Sequence, residues 1–178
     1  FLVIRYDRRG YGQSGGRAEA ATVDHFSEDA RTVVRYIAKR KDVDSKRIAI
    51  VGHGEGAWIA LLTASRENRV SAIVSIAGAA TTGAELILEQ QRLMLEQMQV
   101  PDAERQAKIV LQKQINSAVI SGEGWEEVPQ DLRQQADSPW FHSLLTYNPS
   151  KILEKIDQPI LILHGELDRQ VPVSHAKR

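Results

Sequence analysis

The feature that most restricts how this chain can fold is a five-residue run, Gly52-His-Gly-Glu-Gly56. It lies between a short β-branched stretch, Arg47-Ile-Ala-Ile-Val51, and an apolar helical stretch reaching to about Ser65. A short apolar run bounded by turn residues reads as a buried strand. Glycines at the turn permit backbone conformations closed to other residues and let a helix pass close to the strand it follows. A strand that turns this sharply into a helix belongs to a layered architecture in which helices connect parallel strands.

The same rhythm runs along the chain. Phe1-Leu-Val-Ile-Arg-Tyr6 predicts a strand, and a polar, glycine-rich loop follows from Asp7 to Gly16. From about Val23 to Arg40, Phe26, Ala30, Val33, Val34 and Ile37 recur at helical spacing and make one apolar stripe. Val70 to Ile76 and Pro159 to Leu163 predict two further strands, the second ending in His164-Gly-Glu-Leu-Asp168. Strands alternating with helices, each strand buried on both faces, predict an α/β fold with a mostly parallel sheet.

The stretch 82–147 breaks this rhythm. It is rich in glutamine, with helical spacing at Leu86, Leu93 and Met98 and again at Ile109, Leu111 and Ile115. It is too long for a plain connection between strands and reads as a helical lid over their carboxyl ends. The predicted organisation is a core made of 1–81 and 148–178, with 82–147 inserted as the lid.

Composition excludes several classes. The 178 residues include no cysteine, which removes disulfides, thiolate metal sites and a cysteine nucleophile. Lysine plus arginine equals aspartate plus glutamate at 23 each, so no net field draws the chain to nucleic acid or to an anionic membrane. No apolar run reaches the roughly 20 residues that span a bilayer.

A strand, a G-x-S-x-G turn and a helix form the nucleophile elbow of the α/β hydrolases, and Arg47 to Ser65 resembles that unit, with Gly52 and Gly56 as the outer glycines. Two more segments extend the resemblance. Tyr6-Asp-Arg-Arg-Gly-Tyr-Gly-Gln-Ser14 is similar to the loop that follows the strand before the elbow helix. Leu163-His-Gly-Glu-Leu-Asp168, with Val171-Pro172 after it, is similar to the loop presenting the triad acid. Three anchors in the right order cover nearly the whole chain. The nearest subgroup is the serine esterases with a G-H-S-E-G elbow and a helical lid, distantly similar to prolyl-oligopeptidase-like and dienelactone hydrolases. The resemblance implies a partial α/β-hydrolase fold, the chain reading as an internal piece of it.

It also implies a chemistry: hydrolysis of a small-molecule carboxylic ester or related acyl substrate through a serine ester intermediate, with no metal or organic cofactor. Asp168 is then the triad acid, and the backbone N–H of Glu55 is one oxyanion donor. Trp140, Phe141 and Leu144 are expected to face the pocket from the lid. The departure from the pattern is Gly54, which stands where the family has serine and offers no oxygen to attack a carbonyl. The family's base follows the acid in sequence. His175, seven residues after Asp168, is too near to be that base. His164 is expected to orient the Asp168 loop, and His53, His25 and His142 read as packing or surface residues. Loss of activity is therefore expected for this chain.

Two rival readings come from the same residues. A non-catalytic protein would keep the pocket and bind its ligand without cleaving it. A dinucleotide site is suggested by Gly52-x-Gly54-x-x-Ala57 and by Gly10-x-Gly12-x-x-Gly15, both near helices. That fingerprint needs an acidic residue at the end of the next strand. The corresponding places, Ile76-Ala-Gly-Ala79 and Val51-Gly52-His53, have none.

Overall fold

A computed structural model describes residues 1–18 and 20–177. Its centre is a sheet of three parallel strands in the order β1 (Ile48–His53), β2 (Val70–Ile76) and β3 (Ile160–Leu163). Each sits within a residue or two of where the apolar runs predict it. In register, Ile50, Ile73 and Ile160 form one cross-strand row and Val51, Val74 and Leu161 the next. Successive rows point to opposite faces. On the first face, Ile73 packs with Val34 of α1 (Val23–Ile37) and with Ala60, Leu61 and Ala64 of α2 (Glu55–Ala64). The other face is largely exposed: in its row Val51 is 64% and Leu161 55% exposed with Val74 half-buried between them, and Leu163, two residues on, is 45% exposed.

Two expectations are corrected here. The strands are parallel, but among the described residues helices cover only one face, because α2, α1 behind it and Ile152 of α7 (Pro149–Leu153) all gather on the same side. The predicted strand Phe1–Tyr6 is not a strand. Among the described residues no ladder partner meets it, and β1 bonds to β2 alone, leaving its outer edge unpaired. An apolar β-branched run favours a strand only where a neighbour supplies the other half of the hydrogen bonds.

Local chemistry sets the helix ends. Thr22 caps α1: its Oγ1 accepts from His25 N–H while His25 Nδ1 accepts from the Thr22 N–H, a reciprocal box. The helix ends at Ile37, three residues before the expected Arg40. α2 is buried on nearly all sides, through Ala57, Trp58, Ala60, Leu61, Leu62, Thr63 and Ala64, as a helix wedged between a sheet and other helices must be.

Between β2 and β3 come α3 (Gly83–Gln97), α4 (Asp102–Ser121), α5 (Gln130–Ala136), α6 (Pro139–Thr146) and α7. Thr82 and Glu85 box the start of α3, and Gly122, at φ +79°, ends α4 in a left-handed turn. Ile115, Ala118 and Val119 of α4 pack with Trp125, Val128 and Leu145 in a core of their own. A second cluster joins this region to the sheet layer: Val23, Trp58 and Leu62 meet Leu86, Leu144, Tyr147 and Val171. Tyr147 stacks on Trp58 at 4.7 Å between ring centroids and donates its hydroxyl to Trp58 O at 2.9 Å.

A buried charge closes the opposite end of the sheet. Glu67, in the turn from α2 to β2, is 3% exposed and accepts from Arg35 Nε and Arg69 Nη1, both at 2.7 Å. Burial pushes its pKa up, but the two guanidinium hydrogen bonds outweigh it and hold the carboxyl below its ordinary value. A depressed carboxylate stabilises the fold above its unfolded pKa, about 4.3 for glutamate, and that stability is lost as pH falls through the lower folded value. Glu67→Gln should thus cost about 1–3 kcal/mol at pH 7, and urea midpoints of parent and variant should converge as pH drops below 4.

Candidate active site

The elbow is built from the close approach of β1 and α2. A Cβ on Gly52 would lie 2.1 Å from Gly56 O and 2.6 Å from Ala57 N, so no larger residue fits there. Gly54, at the turn, has φ +56° and ψ −120°, a conformation that L side chains rarely adopt. Its N–H donates to Ile76 O at 2.9 Å, which ties the turn to the end of β2. A Cβ built on Gly54 meets nothing within 4 Å, so a side chain at this position would project into open space. Glu55 begins α2, and among the described residues its backbone N–H has no hydrogen-bond partner.

The Glu55 side chain has a role that sequence reasoning missed. Its Oε1 accepts from Trp140 Nε1 of α6 at 3.0 Å, and its Oε2 lies 4.0 Å from Arg8 Nη1. The carboxylate after position 54 thus joins the glycine-rich loop, the elbow and the region of α6. Arg8 in turn lies over the rings of Tyr11, at 4.1 Å, and Phe26, at 5.6 Å. The neighbouring Arg9 is consumed by Asp29 through two hydrogen bonds of 2.6 and 2.7 Å, and Ser14 Oγ donates to Asp7 O, so both brace the loop. Phe141 packs beside Trp140, at 6.0 Å between centroids, while Leu144 is 7% exposed within the core cluster.

Because the strands are parallel, the loop after β3 leaves the sheet at the same edge as the elbow. Asp168 lies in that loop. Its Oδ1 accepts from Val171 N and Gln170 N, both at 2.9 Å, and its Oδ2 lies 3.9 Å from His164 Nε2. The Val171 N–H is the main cause holding Asp168 below the ordinary aspartate value; burial opposes it, and Gln170 N–H and the charges of His164 and His53 add to it.

The histidines are mostly committed elsewhere. His164 Nε2 donates to Val171 O at 2.7 Å and so shapes the Asp168 loop. His175, in the 3-10 helix Val173–Lys177, is buried: Nδ1 accepts from Ala80 N at 2.9 Å and Nε2 meets Glu89 Oε2 of α3 at 2.7 Å. His25 sits in its helix cap. His53 ends β1 at the elbow. No group of three or more metal-ligating side chains occurs among the described residues.

The sequence pattern of the serine aminopeptidase S33 family of hydrolases matches residues 1–178. The chain belongs to that family. Similar proteins include a non-heme haloperoxidase of Rhodococcus erythropolis, 27% identical over 99% of this chain and 68% of its own length. The esterase EstD of Thermotoga maritima is 24% identical over 96% of this chain and 38% of its own length. The mitochondrial palmitoyl-protein thioesterase ABHD10 of Mus musculus is 26% identical over 95% and 49%. This chain thus spans between about four-tenths and two-thirds of the relatives it matches. Solved structures share the fold: the α/β hydrolase GrgF of Penicillium sp. sh18 (TM-score 0.59, 17% identity, 97% of this chain and 64% of that one) and an esterase of Pyrococcus furiosus (TM-score 0.59, 18% identity, 96% and 51%). The α/β-hydrolase fold expected from the three anchors is therefore the fold of this chain.

The three elbow glycines should respond differently to alanine. Gly52→Ala forces a methyl into the backbone of α2 and should cost about 3 kcal/mol or more. Gly54→Ala has space but the wrong φ, and should cost about 1–3 kcal/mol. Gly56→Ala meets nothing within 4 Å in a helix and should be neutral or stabilising by up to about 1 kcal/mol. Urea denaturation of the three variants reads the order directly.

Proposed function

We propose that this site derives from a Ser-Asp-His acyl hydrolase acting on carboxylic esters or related acyl compounds, and that Gly54 deprives it of the nucleophile. Membership of a hydrolase family supports the ancestral chemistry. The observation that carries the rest is position 54: the elbow keeps its strained backbone and the open space in front of it, and only the side chain is gone. In this reading a serine oxygen at 54 would attack the acyl carbon, the unpaired Glu55 N–H would receive the developing oxyanion, and Asp168 would orient the base. Only His175 follows Asp168 in this chain, and both of its ring nitrogens are engaged. Residues 82–147 form the lid, and Trp140 and Phe141 line its inner side, with Leu144 anchoring them.

A non-catalytic binding role is the second reading, favoured by the same glycine. The dinucleotide reading loses its support, since β2 ends in Ile76 without an acidic residue and the structural neighbours are hydrolases.

Gly54→Ser in the full-length protein should yield turnover of p-nitrophenyl acetate at least 100-fold above the Gly54 parent. In that background Asp168→Asn should lower the rate by about 10⁴-fold, through the wrong tautomer of the base. A Gly54 parent that cleaves the ester as fast as the serine variant would remove the elbow from the chemistry.

A further inference from the structure

The net charge of zero conceals a strong segregation. Residues 35–47, Arg-Tyr-Ile-Ala-Lys-Arg-Lys-Asp-Val-Asp-Ser-Lys-Arg, hold six basic side chains against two acidic ones. They run from the last turn of α1 to the start of β1, and Arg69 stands one residue before β2. This basic pole is therefore at the amino ends of the strands, the edge opposite Gly54 and Asp168.

A cavity of about 390 Å³ opens there, lined by Arg35, Ala38, Lys39, Ser45 and Arg69. Its size falls within the range of about 300–1,000 Å³ typical of small-molecule sites. Two of its three cations are held in place from behind. Glu67, almost fully buried, takes Arg35 Nε on one oxygen and Arg69 Nη1 on the other. Each guanidinium spends one nitrogen on that carboxylate and keeps the rest of its fork, the geometry that suits phosphate oxygens. Lys39 has no carboxylate partner among the described residues, in contrast to Arg40 beside it, which is paired with Asp42 at 2.6 Å. Three cations and one carboxylate leave the cavity doubly positive, and the Ser45 hydroxyl adds a neutral donor. The Glu67 carboxylate fixes the arginines before any ligand arrives, which lowers the ordering cost of binding.

We infer that this cavity is a binding site for a phosphate-bearing small molecule, a diphosphate or phosphomonoester dianion, separate from the elbow and independent of any activity there. Its concavity argues for a soluble ligand, since a lipid surface or a nucleic-acid backbone is met by a flat or ridged array of cations.

The test is calorimetric titration of the purified protein with pyrophosphate at constant ionic strength. Lys39→Ala should weaken binding about tenfold or more, the usual loss for a charge-assisted hydrogen bond. Lys113→Ala, an exposed lysine on α4 with the same change in net charge, should leave it within about twofold. Glu67→Gln should weaken binding through a loosened pair of arginines, although it makes the site more positive; rescue of affinity by that added charge would count against preorganisation. Equal losses for Lys39→Ala and Lys113→Ala would show diffuse charge in place of a site and overturn the inference. So would no heat with millimolar pyrophosphate, or binding confined to phosphatidate vesicles or to DNA.

Discussion

The contact on which the rest of this structure depends is the one between Gly52 and the backbone of Gly56 and Ala57. With no Cβ at Gly52, the first turn of α2 settles directly on the end of β1. That closeness sets the tilt of α2 over the sheet and turns Ala60, Leu61 and Ala64 onto Ile73. It also leaves too few residues for a relaxed connection, so Gly54 must take a positive φ. The strained turn is thus a consequence of packing, and the site it presents is a by-product of how tightly helix and strand are joined.

A second dependence runs through Trp58, on the helix that the elbow starts. Its indole N–H donates to Ala79 O after β2, its ring lies under Tyr147 after α6, and its carbonyl receives the Tyr147 hydroxyl. Burial raises the pKa of that phenol above its ordinary value and so favours the neutral, donating hydroxyl. Ser143 of α6 accepts from Val23 N at the start of α1, and His175 joins the segment after Asp168 to α3. The helices between β2 and β3 are therefore bolted to the sheet layer at several places. In such an arrangement position 54 is followed by Glu55, whose carboxylate meets Trp140 of α6 and Arg8 of the glycine-rich loop.

How much of this was legible follows from the range of the forces involved. The turn at 52–56, strands β1 to β3 and the helices on either side of them were readable, because glycine placement and apolar period are local properties. The Asp168 loop was readable for the same reason: its carboxylate bonds backbone two and three residues on. Phe1–Tyr6 was misread because its pattern describes a strand's own preference and says nothing of a partner. The Glu55–Trp140 and His175–Glu89 contacts, 85 and 86 positions apart, carry no local signature. Nor did equal totals of charge reveal that the basic run of residues 35–47 and Arg69 meet at one end of the sheet.

The glycine at position 54 bears on why the elbow persists. A serine there would hold an unfavourable φ, a strain of about 1–3 kcal/mol that the surroundings must absorb. Glycine removes that strain while Gly52 and the Gly54 N–H to Ile76 O hold the turn in the same shape. Stability alone would then favour glycine at this position, and serine would be kept only where the reaction is needed. Gly52 admits the helix, and Asp168 organises two backbone N–H groups. Both features serve the packing of the chain as much as any chemistry, so their survival beside Gly54 follows from the fold itself. The open space in front of position 54 has the same origin, since the positive φ of Gly54 turns the position away from the packed layer, while the Glu55–Trp140 hydrogen bond ties the start of α2 to α6.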